Sequence, residues 1–157
     1  MKIGKATLKD IPKIEEIFVE GAIDEGKLQF SGKKIKEFLG DIKKFKKKRL
    51  EGIKKNIKSS LAYLIVAEEK KEIIGFGVAI VNKENKKFGA TPQIYIKKEF
   101  RKKGIGSKIK SELLRWLKSK KVKYVSTGMF VKNKSSINLN KKFGFKIVAI
   151  RMQKDLI

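Results

Sequence analysis

The run Arg101-Lys102-Lys103-Gly104-Ile105-Gly106 constrains this chain more than any other feature, through what flanks it. Ahead of it stands Gln93-Ile94-Tyr95-Ile96, a short β-favouring run with Pro92 at its head. Behind it lies a helical pattern over residues 107–121, with Ile105, Ile109, Leu113, Trp116 and Leu117 on one face at about 100° per residue. A strand that enters a basic, Gly-containing turn and then a helix can present unpaired helix N–H groups and a positive dipole end to a phosphate. Gly104 and Gly106 remove the Cβ atoms that would keep a diphosphate away from those groups. The same residues also make an ordinary turn with a wet basic surface, and the spacing alone leaves both readings open.

A second motif narrows the choice: Asn133-Lys134-Ser135-Ser136-Ile137-Asn138-Leu139-Asn140-Lys141-Lys142-Phe143-Gly144-Phe145. Together the two motifs resemble the GNAT superfamily of acetyl-CoA-dependent N-acetyltransferases. In that family a strand leads into Arg/Gln-x-x-Gly-x-Gly/Ala, and some thirty residues later an Asn precedes a short helix that closes with Gly-Phe. The order of elements fits across nearly the whole chain.

Composition limits the chemistry. There is no Cys and no His among the 157 residues. Disulfides, thiolate nucleophiles, Ser-His-Asp triads, imidazole bases and the usual zinc sites are therefore excluded, and no metal site is expected. Hydrophobic residues make up 41% of the chain and recur with regular periods, which marks a globular protein, expected to form one domain over residues 1–157. No apolar run approaches the roughly 20 residues of a transmembrane helix, and residues 1–5 lack a secretory apolar stretch. A cytoplasmic location is the expectation. Net charge is +25, from 41 Lys plus Arg against 16 Asp plus Glu. Such a field favours polyanions, so nucleic acid, ribosomes or acidic membranes stay open as partners, as does a homodimer.

Read along the chain, residues 1–6 form a strand. Asp10 caps a helix with Pro12 in its first turn, and Ile11, Ile14, Ile17, Phe18 and Ala22 make its buried stripe. Residues 21–32 read as a loop. A second helical region runs to about residue 59, with Gly40 and Gly52 marking a bend or break. Its lysine face reads as solvated surface rather than a nucleic-acid stripe. Residues 61–67 and 73–81 form a hairpin and 90–97 a fourth strand. After the 107–121 helix come a strand at 122–131, a short helix at 135–143 and a last strand at 145–154. The fold expected is α/β, a GNAT-like mixed, mostly antiparallel sheet with helices on both faces.

The resemblance implies where acetyl-CoA binds. The backbone of Ile94, Tyr95 and Ile96 would meet the pantetheine arm in a gap between the fourth and fifth strands. Main-chain N–H groups of Arg101, Lys102, Lys103, Gly104, Ile105, Gly106 and Ser107 would hold the pyrophosphate, with the basic side chains assisting. Asn133 matches an Asn that often touches the cofactor, and it also reads as a helix N-cap. Two departures stand out. Many family members carry a proton-donating Tyr where this chain has Asn140, and an amide is no general acid. Many also carry a Glu on the fourth strand, where Ala90-Thr91-Pro92-Gln93 has no carboxylate.

Catalytic groups therefore stay unassigned, with Glu20, Asp24, Glu25 and Asn140 as weak candidates. A site without a strong base favours weakly basic acceptors. Deprotonating a lysine amine at pH 7 costs about 4.6 kcal/mol, against about 1.4 kcal/mol for an α-amine. Together with the +25 field, this points to neutral or acidic amine acceptors over polyamines. The function read from the sequence is acetyl transfer from acetyl-CoA to a primary amine by direct attack. The alternatives are a non-catalytic CoA-binding module of the same fold and a basic nucleic-acid-binding protein.

Overall fold

Alternation in one strand decides the layers. In β2 (Ala62–Glu69) Leu64 and Val66 face one way, Ile65 and Ala67 face the other, and all four are buried. That strand must be covered on both sides. The computed structural model describes residues 1–154 and 156. In it β2 lies between β1 (Lys2–Lys5) and β3 (Glu72–Val81), both antiparallel to it. β4 (Phe88–Ile96) pairs antiparallel with β3, and β5 (Tyr124–Ser126) joins it in parallel, giving the order β1-β2-β3-β4-β5.

One face carries α1 (Ile11–Gln29) and α3 (Lys46–Lys58), which press Ile14, Ile17 and Ile53 onto Leu64, Val66, Phe76 and Val78. α2 (Gly32–Lys44) connects them and leans on α1. The other face carries α4 (Ile105–Ser119), whose Ile105, Ile109, Leu113 and Leu117 meet Ile65, Ala67, Ile74 and Ala79. α5 (Lys134–Lys142) follows β5. Among the described residues, no helix is long and apolar enough to cross a membrane.

The structure departs from the sequence reading in several places. Residues 21–29 are helix, not loop. A Cβ on Gly21 would stand 2.1 Å from Tyr95 Cδ1, and one on Gly26 would stand 2.4 Å from Phe38 Cε1, so these glycines admit rings rather than make a turn. The 31–59 region breaks at Phe45 (φ −93°, ψ 14°), while Gly40 and Gly52 sit inside α2 and α3. Asp10 does not cap α1 through its side chain; its Oδ2 accepts from Thr7 N at 2.7 Å and Thr7 Oγ1 at 2.9 Å. The strand expected over 122–131 shrinks to three residues.

No strand forms over 145–154 among the described residues. Ile147, Val148, Ile150 and Met152 are all exposed, so neither side of the segment is a buried face. The three residues of β5 offer too short an edge to hold a ladder without such burial.

Candidate active site

The sheet opens at β4. Val78 faces Gln93 and Ile80 faces Ala90, so Ala79 alone opposes both Thr91 and Pro92, a bulge on β4. Pro92 has no N–H to give a ladder, and a bulge tolerates that. β5 accompanies β4 only at Phe88, Gly89 and Ala90; beyond them Thr127 Oγ1 donates to Thr91 O at 2.9 Å. From there to Ile96 no strand lies along the outer edge of β4 among the described residues. Lys97 N donates to Ile74 O at 2.9 Å, which fixes the phase of the strand. Ile94 and Ile96 therefore turn their N–H and C=O groups to the open edge, whereas Tyr95 spends its main chain on β3 opposite Phe76.

The turn after β4 gathers donors. Lys102 (φ 64°) and Gly104 (φ 77°) are both left-handed, and Gly104 is the residue preceding α4. Alternation of this kind curls successive N–H groups into an anion-binding concavity. The first bond of α4 runs from Lys108 N to Gly104 O at 3.2 Å, so the N–H groups of Ile105, Gly106 and Ser107 have no partner within the helix. Lys102 and Lys103 are exposed.

Arg101 is placed differently from its two basic neighbours. Its Nε donates to Ile96 O at 2.8 Å, Nη1 to Asp24 Oδ2 at 2.5 Å and Nη2 to Glu20 Oε1 at 3.4 Å. Lys98 N also donates to Glu20 Oε1 at 2.6 Å. The guanidinium thus clamps α1 to the turn, and Glu20 and Asp24 are committed to that clamp.

Glu25, one turn further along α1, is organised for another purpose. Tyr95 Oη donates to its Oε2 at 2.8 Å and Asn133 Nδ2 to its Oε1 at 2.7 Å. Burial, then the Glu25 charge and hydrogen bond, push the Tyr95 hydroxyl well above its ordinary range, so it stays a neutral donor. Asn133 caps α5 as expected, its Oδ1 accepting from Ser136 N at 3.0 Å. Glu25 lines a cavity of about 360 Å³ between α1, α2 and β4, walled by Phe18, Phe38, Phe45 and Phe130. Asp41 joins it from α2, and Pro92 and Gln93 close it at the bulge. Arg49 also lines it, but that cation is paired with Glu15 at 2.7 Å.

On the opposite side of the bulge lies a residue that sequence reasoning passed over. Lys110 is 1% exposed, and its Nζ donates to Thr91 Oγ1 at 2.6 Å and stands 4.1 Å from the Phe145 ring centroid. Burial lowers its pKa from 10.5 to about 8. Asn140 is buried too. Its Nδ2 donates to Ser136 O at 2.9 Å, while its Oδ1 has no partner.

The five-stranded sheet opened at β4, the left-handed turn and the α5 cap together define an acyltransferase fold. Residues 35–145 match the acetyltransferase (GNAT) family, and the chain belongs to that family. It is accordingly an acyltransferase of the GNAT type, and the acyl donor of such enzymes is acetyl-CoA. The PaiA N-acetyltransferase of Thermoplasma acidophilum, solved in complex with coenzyme A, superposes with a TM-score of 0.79 at 20% identity over 96% of this chain and 92% of that one. The ribosomal-protein-alanine N-acetyltransferase of Brucella melitensis gives 0.64 at 20% identity over 93% and 85%. An aminoglycoside antibiotic 6'-N-acetyltransferase of Acinetobacter haemolyticus gives 0.67 at 15% identity over 99% and 100%.

Proposed function

We propose that this chain transfers the acetyl group of acetyl-CoA to a primary amine by direct attack within a ternary complex. The observation that carries the reading is the open outer edge of β4, running from the bulge at Thr91 and Pro92 to the left-handed turn at 102–104. Ile94 offers that edge an N–H and a C=O, which suit the amides of a pantetheine arm. The N–H groups of 105–107, with Lys102 and Lys103, suit a diphosphate. The buried, unpartnered Asn140 Oδ1 is a further acceptor for such an arm. These residues fit the donor, which supplies the activated acetyl group.

The acceptor reading rests on the cavity. Glu20 and Asp24 are both engaged by Arg101, which leaves Glu25 and Asp41 to meet an incoming ammonium among four phenylalanines. Local charge there opposes the +25 field, so this reading differs from the acceptor preference drawn from net charge. An amine carried on an apolar or aromatic body suits the cavity better than a polyamine. The bound ammonium first gives one proton to solvent; the neutral nitrogen then attacks the carbonyl carbon and sheds a second proton to Glu25, while the C–S bond breaks and the sulfur takes up a proton to leave as the thiol of CoA. Holding both reactants together supplies roughly 7–11 kcal/mol of the barrier reduction.

Calorimetry with acetyl-CoA, followed by thiol release across an amine panel, tests both halves. Gly104→Asp puts a carboxylate and a Cβ into the left-handed turn and is expected to abolish acetyl-CoA binding in a protein that still folds. Unchanged affinity would refute the donor site. Spermidine outpacing arylalkyl amines at matched concentration would refute the acceptor reading.

A further inference from the structure

Lys110 is a buried cation with no carboxylate partner among the described residues. The other buried lysine, Lys97, is matched to Glu72 at 2.5 Å and Glu16 at 3.8 Å. Among the described residues, the groups set around Lys110 Nζ are Thr91 Oγ1 from β4 and the Phe145 ring that follows α5, and burial accounts for its lowered pKa. A helix surface position filled by Met or Leu would avoid this cost, so the amine calls for an explanation at its location.

Its location is the vertex of the opening. Thr91 is the first β4 residue beyond the parallel ladder, and the next two, Pro92 and Gln93, line the acceptor cavity. The residue that holds the Lys110 amine thus directly precedes, in the bulge, the two that line the cavity. Asn140, whose main-chain O accepts from Phe145 N at 3.1 Å, is buried with an Oδ1 that has no partner. Where many relatives hold a tyrosine hydroxyl, this chain holds an amide that cannot release a proton.

We propose that Lys110 is the proton donor to the sulfur of CoA as the acetyl group departs, an inference that rests on the acetyl-CoA reading above. The acceptor nitrogen bonds to the carbonyl carbon, the C–S bond breaks, and its electron pair goes to sulfur. The Lys110 ammonium passes one proton to that sulfur and is recharged from solvent. The acylated nitrogen sheds one proton through Glu25, so the protons balance. Burial lowers the amine to about 8, toward the range of thiols, which eases release of its proton to sulfur.

The test is to count protons. Calorimetric titration of the whole protein with CoA and with desulfo-CoA at pH 7, each in two buffers of different ionisation heat, measures proton release on binding. The wild type is expected to release up to one proton more with CoA than with desulfo-CoA, because sulfur and amine come to share one. Lys110→Met is expected to abolish that difference and to slow turnover about 10²-fold or more. Lys110→Arg, which keeps the charge but holds its proton, is expected to keep the difference and still lose turnover. Equal release with the two ligands in the wild type, a difference that survives in Lys110→Met, or full turnover in Lys110→Arg would overturn the assignment. So would acetylation of Lys110 found by mass spectrometry after incubation with acetyl-CoA. If neither CoA nor desulfo-CoA binds the wild type, the acetyl-CoA reading itself fails.

Discussion

A single side chain shows how function and stability pull apart in this protein. Lys110 holds its proton less tightly in the folded chain, near 8, than the ordinary 10.5 it regains on unfolding. Below about pH 8 both states are charged and the folded state bears the full cost of burying the ammonium. Between about 8 and 10.5 the unfolded chain binds more protons, so stability rises with pH there. Lys110→Met is expected to stabilise the fold at pH 7 by roughly 1–3 kcal/mol, since a shift of one unit corresponds to about 1.36 kcal/mol before solvent is allowed for. The advantage over wild type should shrink by pH 10.5, and urea unfolding at both pH values measures it. The place of Lys110 on the apolar side of α4, with Leu113, Leu114 and Leu117 three, four and seven residues on, was the sequence signal for its burial, but the spacing does not say what its amine meets. Its burial comes from Thr91 and Phe145, residues 19 and 35 positions away in the chain. Glu25 was among the candidates for the same chemistry as Glu20 and Asp24, and only the path of Arg101 separates the three. Gly104 and Asn133, by contrast, were legible because a left-handed turn and a helix cap depend on neighbours in sequence.

At the level of elements, glycine carries opposite meanings in neighbouring helices. Gly21 and Gly26 of α1 lie against Tyr95 and Phe38, and a methyl group there would displace a ring. Gly40 of α2 and Gly52 of α3 have no atom within 4 Å of where a Cβ would stand. Gly40→Ala and Gly52→Ala are each expected to raise stability by about 0.5–1 kcal/mol, through reduced freedom of the unfolded chain. Gly21→Ala is expected to lower it by about 1–3 kcal/mol and to disturb the Tyr95–Glu25 hydrogen bond. Chemical denaturation of the three variants reads both signs. The sequence pattern could not separate these cases, because glycine breaks helical periodicity equally whether it faces solvent or a ring. The β2–β3 hairpin and α4 were legible from their apolar periods alone. β5 and the 145–154 segment were not, since a β-favouring composition makes a strand only where an edge and a buried face await it.

For the whole molecule, charge and contact have to be weighed together. A surplus of 25 positive charges surrounds a cavity whose own side chains include Glu25 and Asp41, so the field met by a distant ligand differs from the one met inside. The Arg101 clamp links the two regions proposed above for the substrates: it is rooted in the turn before α4, and it holds Glu20 and Asp24 of α1, the helix that supplies Phe18 and Glu25 to the cavity. Arg101→Ala is expected to weaken acetyl-CoA binding and raise the acceptor KM together, each about tenfold, as loss of charge-assisted hydrogen bonds worth roughly 1.5–3 kcal/mol implies. Lys102→Ala and Lys103→Ala should affect acetyl-CoA alone. Calorimetry and initial rates distinguish the two patterns. The clamp also has a consequence in time. One wall of the cavity hangs, through Arg101, from the turn proposed to hold the diphosphate, so loading that turn is expected to set the cavity's shape. Steady-state kinetics should then be ordered, with acetyl-CoA entering first, the amine second, and CoA leaving last.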